Sequence, residues 1–245
     1  MWIAGDFDVQ QIRCCLFAKT EVEKLALKAK ASRDASFFAS DEYIYLTFLN
    51  TRSLRKHHKD ISNDEELMRS EVIGMAETHL HEDETVKLEG FEGNYLVNAG
   101  KGKGVAAFSR NVPIDVIKIK KETFSAIFLT FENFRIVFGY LSKGVNINEF
   151  NTIMMPLLQD KTKNTIFMGD MNYHYLEERN ALRNMFDKID YVQMIDKVTH
   201  DDGHILDHVY ISSPEILLKE DIYLKSLYFS DHDAACIRFK KAIIM

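Results

Sequence analysis

Residues 164–172 read NTIFMGDMN: apolar almost throughout from Thr165 to Met168, then a glycine, then Asp170 and Asn172. A short apolar run that stops on a carboxylate reads as a strand covered on both faces, with a polar side chain offered at its end. The same arrangement recurs on either side of it. Strands are expected at Tyr43–Leu49, Val72–Met75, Val105–Ser109, Phe124–Phe131, Phe134–Tyr140, Thr165–Met168, His208–Ile211 and Ala234–Phe239, all β-branched or aromatic runs. Helices are expected at Asp60–Ser70, Ile147–Asp160 and Leu176–Lys188, and Glu132-Asn133 reads as a tight turn between two strands. Strands buried on both faces and alternating with helices call for an α/β fold, a sandwich of two sheets clad by helices.

The rest of the composition fits one such domain. The chain has 245 residues, 46% of them hydrophobic, with only 3 Pro, enough apolar mass for a large core. Residues 1–41 read differently, as a lead-in segment with a short amphipathic helix over 21–30; residues 42–245 form the expected main domain. The formal net charge of -6 excludes a polybasic coat for nucleic acid, so any such contact must come from a local basic patch. Three cysteines, two of them adjacent (Cys14 and Cys15), argue against a disulfide framework and for a reducing compartment. No run approaches a membrane span, and Asp6 and Asp8 sit where a signal peptide needs its apolar stretch, so an intracellular location is expected.

Polar residues recur where the expected strands stop: Asn50, Glu77, Tyr140, Asp170 with Asn172, Asp207, and Asp231 with His232. Taken singly, an Asp or Asn after a strand is a turn former or a helix cap. Together, four carboxylates and two amides supply oxygen donors without a Cys/His cluster, a set that suits Mg²⁺ or Mn²⁺ over zinc. His79, His81 and His174 lack a third close ligand at a zinc spacing and read as polar-loop residues. A hard dication beside an imidazole and several carboxylates is the equipment of phosphoester hydrolysis.

The order of these residues resembles the exonuclease–endonuclease–phosphatase superfamily, whose GD[FL]N and SDH motifs are similar to GDMN (169–172) and SDH (230–232). LNTRSL (49–54), AETHL (76–80) and GKGVAAFS (102–109) resemble segments of the abasic-site-endonuclease-like domains of non-LTR retrotransposons and Helitron-type helicase polyproteins. The resemblance covers about Tyr43 to Phe239 and implies a DNase I-like, four-layer αββα sandwich of two mixed β-sheets flanked by helices. It implies that Glu77, Asn50 and Asp231 gather Mg²⁺ or Mn²⁺, with Glu77 the principal ligand. By the same resemblance Asp170 activates water, Asn172 holds a phosphate oxygen, His232 donates to the scissile phosphate with Asp207 fixing its ring, and Tyr140 lies against the phosphate or leaving oxygen.

Two positions depart from abasic-site repair enzymes: Arg52 stands where they often have an acid, and Ser142 and Lys143 stand where a proline and an asparagine follow the tyrosine. Both leave the hydrolytic set intact and the abasic-site preference open. Arg52, Arg55, Lys101, Lys103 and Lys143 flank the motifs and are candidates to grip a nucleic-acid backbone; a solvated polar rim is the plain alternative. The expectation is a Mg²⁺-dependent DNA endonuclease, monomeric as an isolated domain, and nuclear if derived from a mobile element. The alternatives are a same-fold hydrolase of RNA, a cyclic nucleotide or a phosphoinositide, and a catalytically silent nucleic-acid-binding domain.

Overall fold

A computed structural model describes residues 37–177, 180–216 and 221–240. The short helix expected over 21–30 lies outside the described residues. A division falls between Asp41 and Glu42, and both sheets belong to the second unit.

Twelve strands form two six-stranded mixed sheets. In chain order they are β1 (Tyr43–Asn50), β2 (Val72–Ala76), β3 (Gly93–Val97), β4 (Val105–Ser109), β5 (Asp115–Lys120), β6 (Phe124–Thr130), β7 (Phe134–Leu141), β8 (Asn164–Asp170), β9 (Val192–Gln193), β10 (Asp207–Ile211), β11 (Ile222–Ser226) and β12 (Asp233–Lys240). The first sheet has the order β11-β12-β1-β2-β4-β3, and the second β5-β6-β7-β8-β10-β9. One pair in each sheet is parallel, β1 with β2 and β7 with β8; the remaining pairs are antiparallel. A parallel neighbour requires a crossover. Helix α1 (Leu54–Ser62) lies in the first crossover and α2 (Ile147–Leu158) in the second, while α3 (Ala181–Lys188) lies between β8 and β9.

Period-two alternation sorts each strand's side chains between layers. Leu46 and Phe48 of β1, Ala235 and Ile237 of β12, Ile136 and Phe138 of β7, and Ile166 and Met168 of β8 meet in one core between the sheets. The opposite residues of the second sheet, among them Phe128, Val137, Phe167 and Tyr210, pack with Phe150 and Met154 of α2 and Leu182 and Phe186 of α3. On the first sheet the outward residues Thr47, Leu49, Ile73 and Met75 are buried too, and α1 buries Leu54 and Ile61. Runs such as TIFM are apolar on both faces because both faces are covered.

Two glycines set how closely the layers approach. A Cβ on Gly74 would fall 2.0 Å from the ring of Phe138, so only glycine lets that ring stack on Phe48 across the interface, 6.1 Å between centroids. A Cβ on Gly169 would fall 2.5 Å from the carbonyl oxygen of Gly139, its partner on β7. The glycine before Asp170 is therefore a packing requirement as well as a motif letter.

The first helix differs from expectation. It starts at Leu54 instead of Asp60, because the Ser53 hydroxyl accepts from the Lys56 amide and caps it. It stops at Ser62, where Asp64 Oδ1 accepts from the amides of Glu66 and Leu67 and turns the chain into a short 3₁₀ segment, Leu67–Arg69. The third helix begins five residues later than expected, at Ala181, with the Asn180 side chain capping Arg183.

Candidate active site

The topology brings the strand-end residues to one side. β12 runs antiparallel to β1, and β10 antiparallel to β8, so the starts of β10 and β12 share edges with the ends of β1, β2, β7 and β8. Asn50 ends β1, Glu77 follows β2, Tyr140 lies next to last in β7, Asp170 ends β8, Asp207 begins β10, and His232 precedes β12. A hydrogen bond ties the two sheets at this edge: Asn50 Nδ2 donates to Asp170 Oδ2 at 2.9 Å.

Asp170 and Asp207 are register partners, and both are fully buried. Asp207 Oδ2 lies 2.7 Å from His232 Nδ1. Burial first, and then the charge of Asp207, push the Asp170 carboxyl up to about 7, against the pull of His232 and of hydrogen bonds from Asn172 and Asn50. For His232, burial disfavours the charged ring, but Asp207, Asp170 and Asp231 outweigh it and raise its pKa to about 9. The imidazole is therefore a cation at neutral pH, oriented by Asp207 and with Nε2–H left to donate.

Asn50 adjoins this group through its bond to Asp170, Asp231 Oδ1 lies 4.0 Å from His232 Nε2, and the charge of Glu77, like that of Asp170, acts on Tyr140. Glu77 Oε2 lies 3.5 Å from His79 Nε2, and Asp231 Oδ2 lies 3.1 Å from Arg52 Nη1. Asn50 Oδ1 accepts from the Arg52 amide at 3.0 Å. Arg52, Ser53, Glu77, His79 and Asn172 all have positive φ without being glycine. Left-handed backbone costs L-residues roughly 1–2 kcal/mol each, and such strain gathers at sites whose loops are held by their surroundings.

Tyr140 Oη donates to the Gly102 carbonyl at 2.9 Å. Burial, then the charges of Glu77 and Asp170, raise its pKa well beyond the usual phenol range, so it stays a neutral donor. Asn172 spends its amide N–H on Asp170 Oδ1 at 3.0 Å and one side-chain N–H on the Leu141 carbonyl at 2.7 Å. Its second side-chain N–H remains for a ligand.

The basic candidates divide. Arg52 pairs with Asp231, Arg55 with Glu84, and Lys103 Nζ donates to the Glu122 carbonyl at 2.7 Å. Lys101 and Lys143 are exposed on the loops before β4 and after β7. His174 Nδ1 accepts from the Ile205 amide at 3.1 Å and pins a loop. His208, buried with its pKa lowered to about 4 by desolvation, lies 2.9 Å from the Tyr173 carbonyl through Nε2 and is a neutral core residue.

Sequence reasoning missed Thr199 and His200. Thr199 Oγ1 accepts from the amides of Leu206 and Asp207, both at 3.0 Å. His200 stands edge-on to His232, 4.6 Å between ring centroids. The available signal was the polar tract THDDGH lying just before Asp207, which reads as an ordinary loop.

The donor set fits a hard divalent cation. Glu77, Asp170, Asp207 and Asp231 outnumber the cations Arg52 and His232 beside them, and Asp170 is raised by burial first and then by the charge of Asp207. Asp170, Asp207 and His232 offer ligand atoms within 4.8 Å of one another. The ligand set expected from the sequence, Glu77, Asn50 and Asp231, lies outside that trio, in which His232 Nδ1 is engaged on Asp207.

No family model and no curated protein matches this sequence. Among solved structures it is similar to the 3′ phosphatase NExo from Neisseria bound to a product DNA hairpin. The TM-score is 0.65 at 16% identity, over 80% of this chain and 99% of that chain. With its two mixed six-stranded sheets and flanking helices, the chain has the DNase I-like α/β sandwich fold.

Proposed function

We propose that the protein is a divalent-metal-dependent phosphodiesterase that cleaves DNA, an endonuclease of the kind carried by non-LTR retrotransposons and Helitron-type polyproteins. The observation that carries the reading is the buried Asp170–Asp207–His232 cluster, where a carboxyl poised near neutrality adjoins a protonated imidazole. Hydrolysis needs those two groups: a base for water and a donor aimed at developing charge on phosphate.

Asp170, held by Asn50 and the Asn172 amide, takes the proton of the attacking water as its oxygen bonds to phosphorus. His232, fixed by Asp207, donates from Nε2 to a phosphate oxygen. The remaining N–H of Asn172 supplies a neutral donor beside it, with Tyr140, its hydroxyl held by the Gly102 carbonyl, lying against the phosphate; the P–O ester bond breaks on the side opposite the attacking water, and the leaving oxygen takes a proton from solvent. A Mg²⁺ or Mn²⁺ ion held by Glu77, Asp231 and Asn50 would supply Lewis-acid neutralisation of the phosphate charge. The NTRSL and AETHL segments and the DNA hairpin in the solved neighbour support DNA as substrate.

Supercoiled plasmid, abasic duplex, RNA and a phosphoinositide, each incubated with the protein and Mg²⁺, separate the substrate classes. Plasmid nicking that EDTA stops and added Mg²⁺ or Mn²⁺ restores is the expected result. Turnover of only RNA or the phosphoinositide would reassign the substrate, and binding without turnover would mark a silent domain.

A further inference from the structure

We propose that Arg52 and His200 clamp Asp231, holding its Oδ2 from two sides and leaving Oδ1 presented beside His232, so that His200 is a positioning residue for the cleavage site; the inference rests on the function proposed above. Arg52 Nη1 is 3.1 Å from Asp231 Oδ2, and His200 Nε2 is 3.6 Å from the same oxygen, a polar contact slightly longer than a hydrogen bond. Asp231 Oδ1 lies 4.0 Å from His232 Nε2.

The tautomer of His200 follows from its other nitrogen. Nδ1 faces the Asp202 amide at 3.0 Å, and an amide N–H can only donate. A neutral ring that accepts at Nδ1 carries its proton on Nε2, the atom turned toward Asp231. Asp202 Oδ2, 3.5 Å from Nδ1, is the other charged group facing the ring. This excludes His200 as a metal ligand through Nε2, although His200, Asp231 and His232 bring ligand atoms within 4.8 Å of one another. The group is an orienting device with the wrong protons for a metal centre.

The backbone supports the same reading. Asp201 N donates to the Asp231 carbonyl at 3.0 Å, Asp233 N donates to the Thr199 carbonyl at 2.8 Å, and His200 and His232 form an isolated antiparallel bridge. Thr199 Oγ1 binds the Asp207 amide from the same loop. One loop, 199–207, thus sets the position of Asp207, Asp231 and His232 together. Arg52, whose sequence position suggested a DNA contact, is engaged on Asp231 in this arrangement.

The test is Mn²⁺ binding to the full chain without DNA, read from the free-ion electron paramagnetic resonance signal, with melting temperature measured alongside. His200→Phe keeps a ring against His232 and removes the donor; His200→Gln keeps a donor at similar reach and removes the ring. Loss of such outer-sphere support weakens metal affinity on the order of tenfold. His200→Phe should show that loss at an unchanged melting temperature, and His200→Gln should recover most of it. Wild-type affinity in His200→Phe would overturn the clamp while plasmid nicking by the wild type leaves the proposed function standing. A wild type that neither binds Mn²⁺ nor nicks would overturn both. Should His200→Phe fail to fold, His200→Leu decides: weakened binding supports the clamp, and unchanged binding overturns it.

Discussion

Two buried clusters in this molecule have the same formula, two acids and one base, and opposite characters. Lys225 lies 3.3 Å from Asp64 and pairs with Glu66. Burial lowers the affinity of its amine for a proton, but Asp64 and Glu66 more than offset this, and its pKa rises above 10.5. Asp64 also accepts two backbone amides and ends the first helix region. His232 sits between Asp207 and Asp170 with similar burial, yet there an acid is displaced as well, Asp170 reaching about 7. The lysine is matched by acids that caps and solvent help to satisfy, whereas the histidine is shared by two fully buried acids and cannot neutralise both. Mismatch at fixed geometry is what distinguishes a site from a brace.

The two clusters part under substitution. Asp170→Ala and His232→Ala should each lower the plasmid-nicking rate per folded molecule by on the order of 10²–10⁴-fold, and His232→Ala should also lower the urea midpoint because it leaves Asp207 buried without its partner. Lys225→Met should lose stability alone. Removing one partner of a buried ion pair costs about 3–5 kcal/mol, visible in urea unfolding, with nicking per folded molecule unchanged.

Stability against pH sharpens it further. Asp170 has a folded pKa of about 7 against an ordinary 3.8, so the native state binds its proton more tightly and stability falls as pH rises through that interval. His232, raised from 6.5 to about 9, adds stability that is complete below 6.5 and lost as pH climbs through 9. Metal-free protein should therefore lose stability steadily from about pH 4 to 9, and Asp170→Asn should flatten the lower half. The Lys225 contribution, by the same reasoning, is lost only above pH 10.5. The smallest effect concerns the rim: Lys101→Ala or Lys143→Ala should reduce the slope of log DNA affinity against log salt by about 0.9 for each phosphate that the lysine neutralises.

What the sequence reveals follows the layers. All eight expected strands exist, and they are the inner ones: β12, β1, β2 and β4 in one sheet, and β6, β7, β8 and β10 in the other. The four edge strands β3, β5, β9 and β11 do not stand out as strands in the sequence, although Lys118–Lys121, which covers part of β5, reads as an exposed strand or turn. An edge strand is half wet, so its apolar pattern fades; Lys118 and Lys120 on β5 are exposed and guard that edge against pairing with another chain. Helix α1 is displaced from its expected place because DEELMRS has helical composition, while the helix start depends on a serine cap and its end on a side chain of Asp64 folding back. In the site, residues that end inner strands are legible by position, since topology alone carries them to one edge. His200 is not, because its role arises from a loop laid against His232 and leaves no periodic trace.

On the function proposed above, the Asp170–Asp207–His232 edge hydrolyses a DNA phosphodiester. This is tested most directly by the initial rate of supercoiled plasmid relaxation in Mg²⁺ by purified wild-type and His232→Ala proteins, both assayed well below their melting temperatures. Metal-dependent nicking by the wild type and a variant reduced to background is the predicted result. Equal nicking rates in the two proteins would contradict the account.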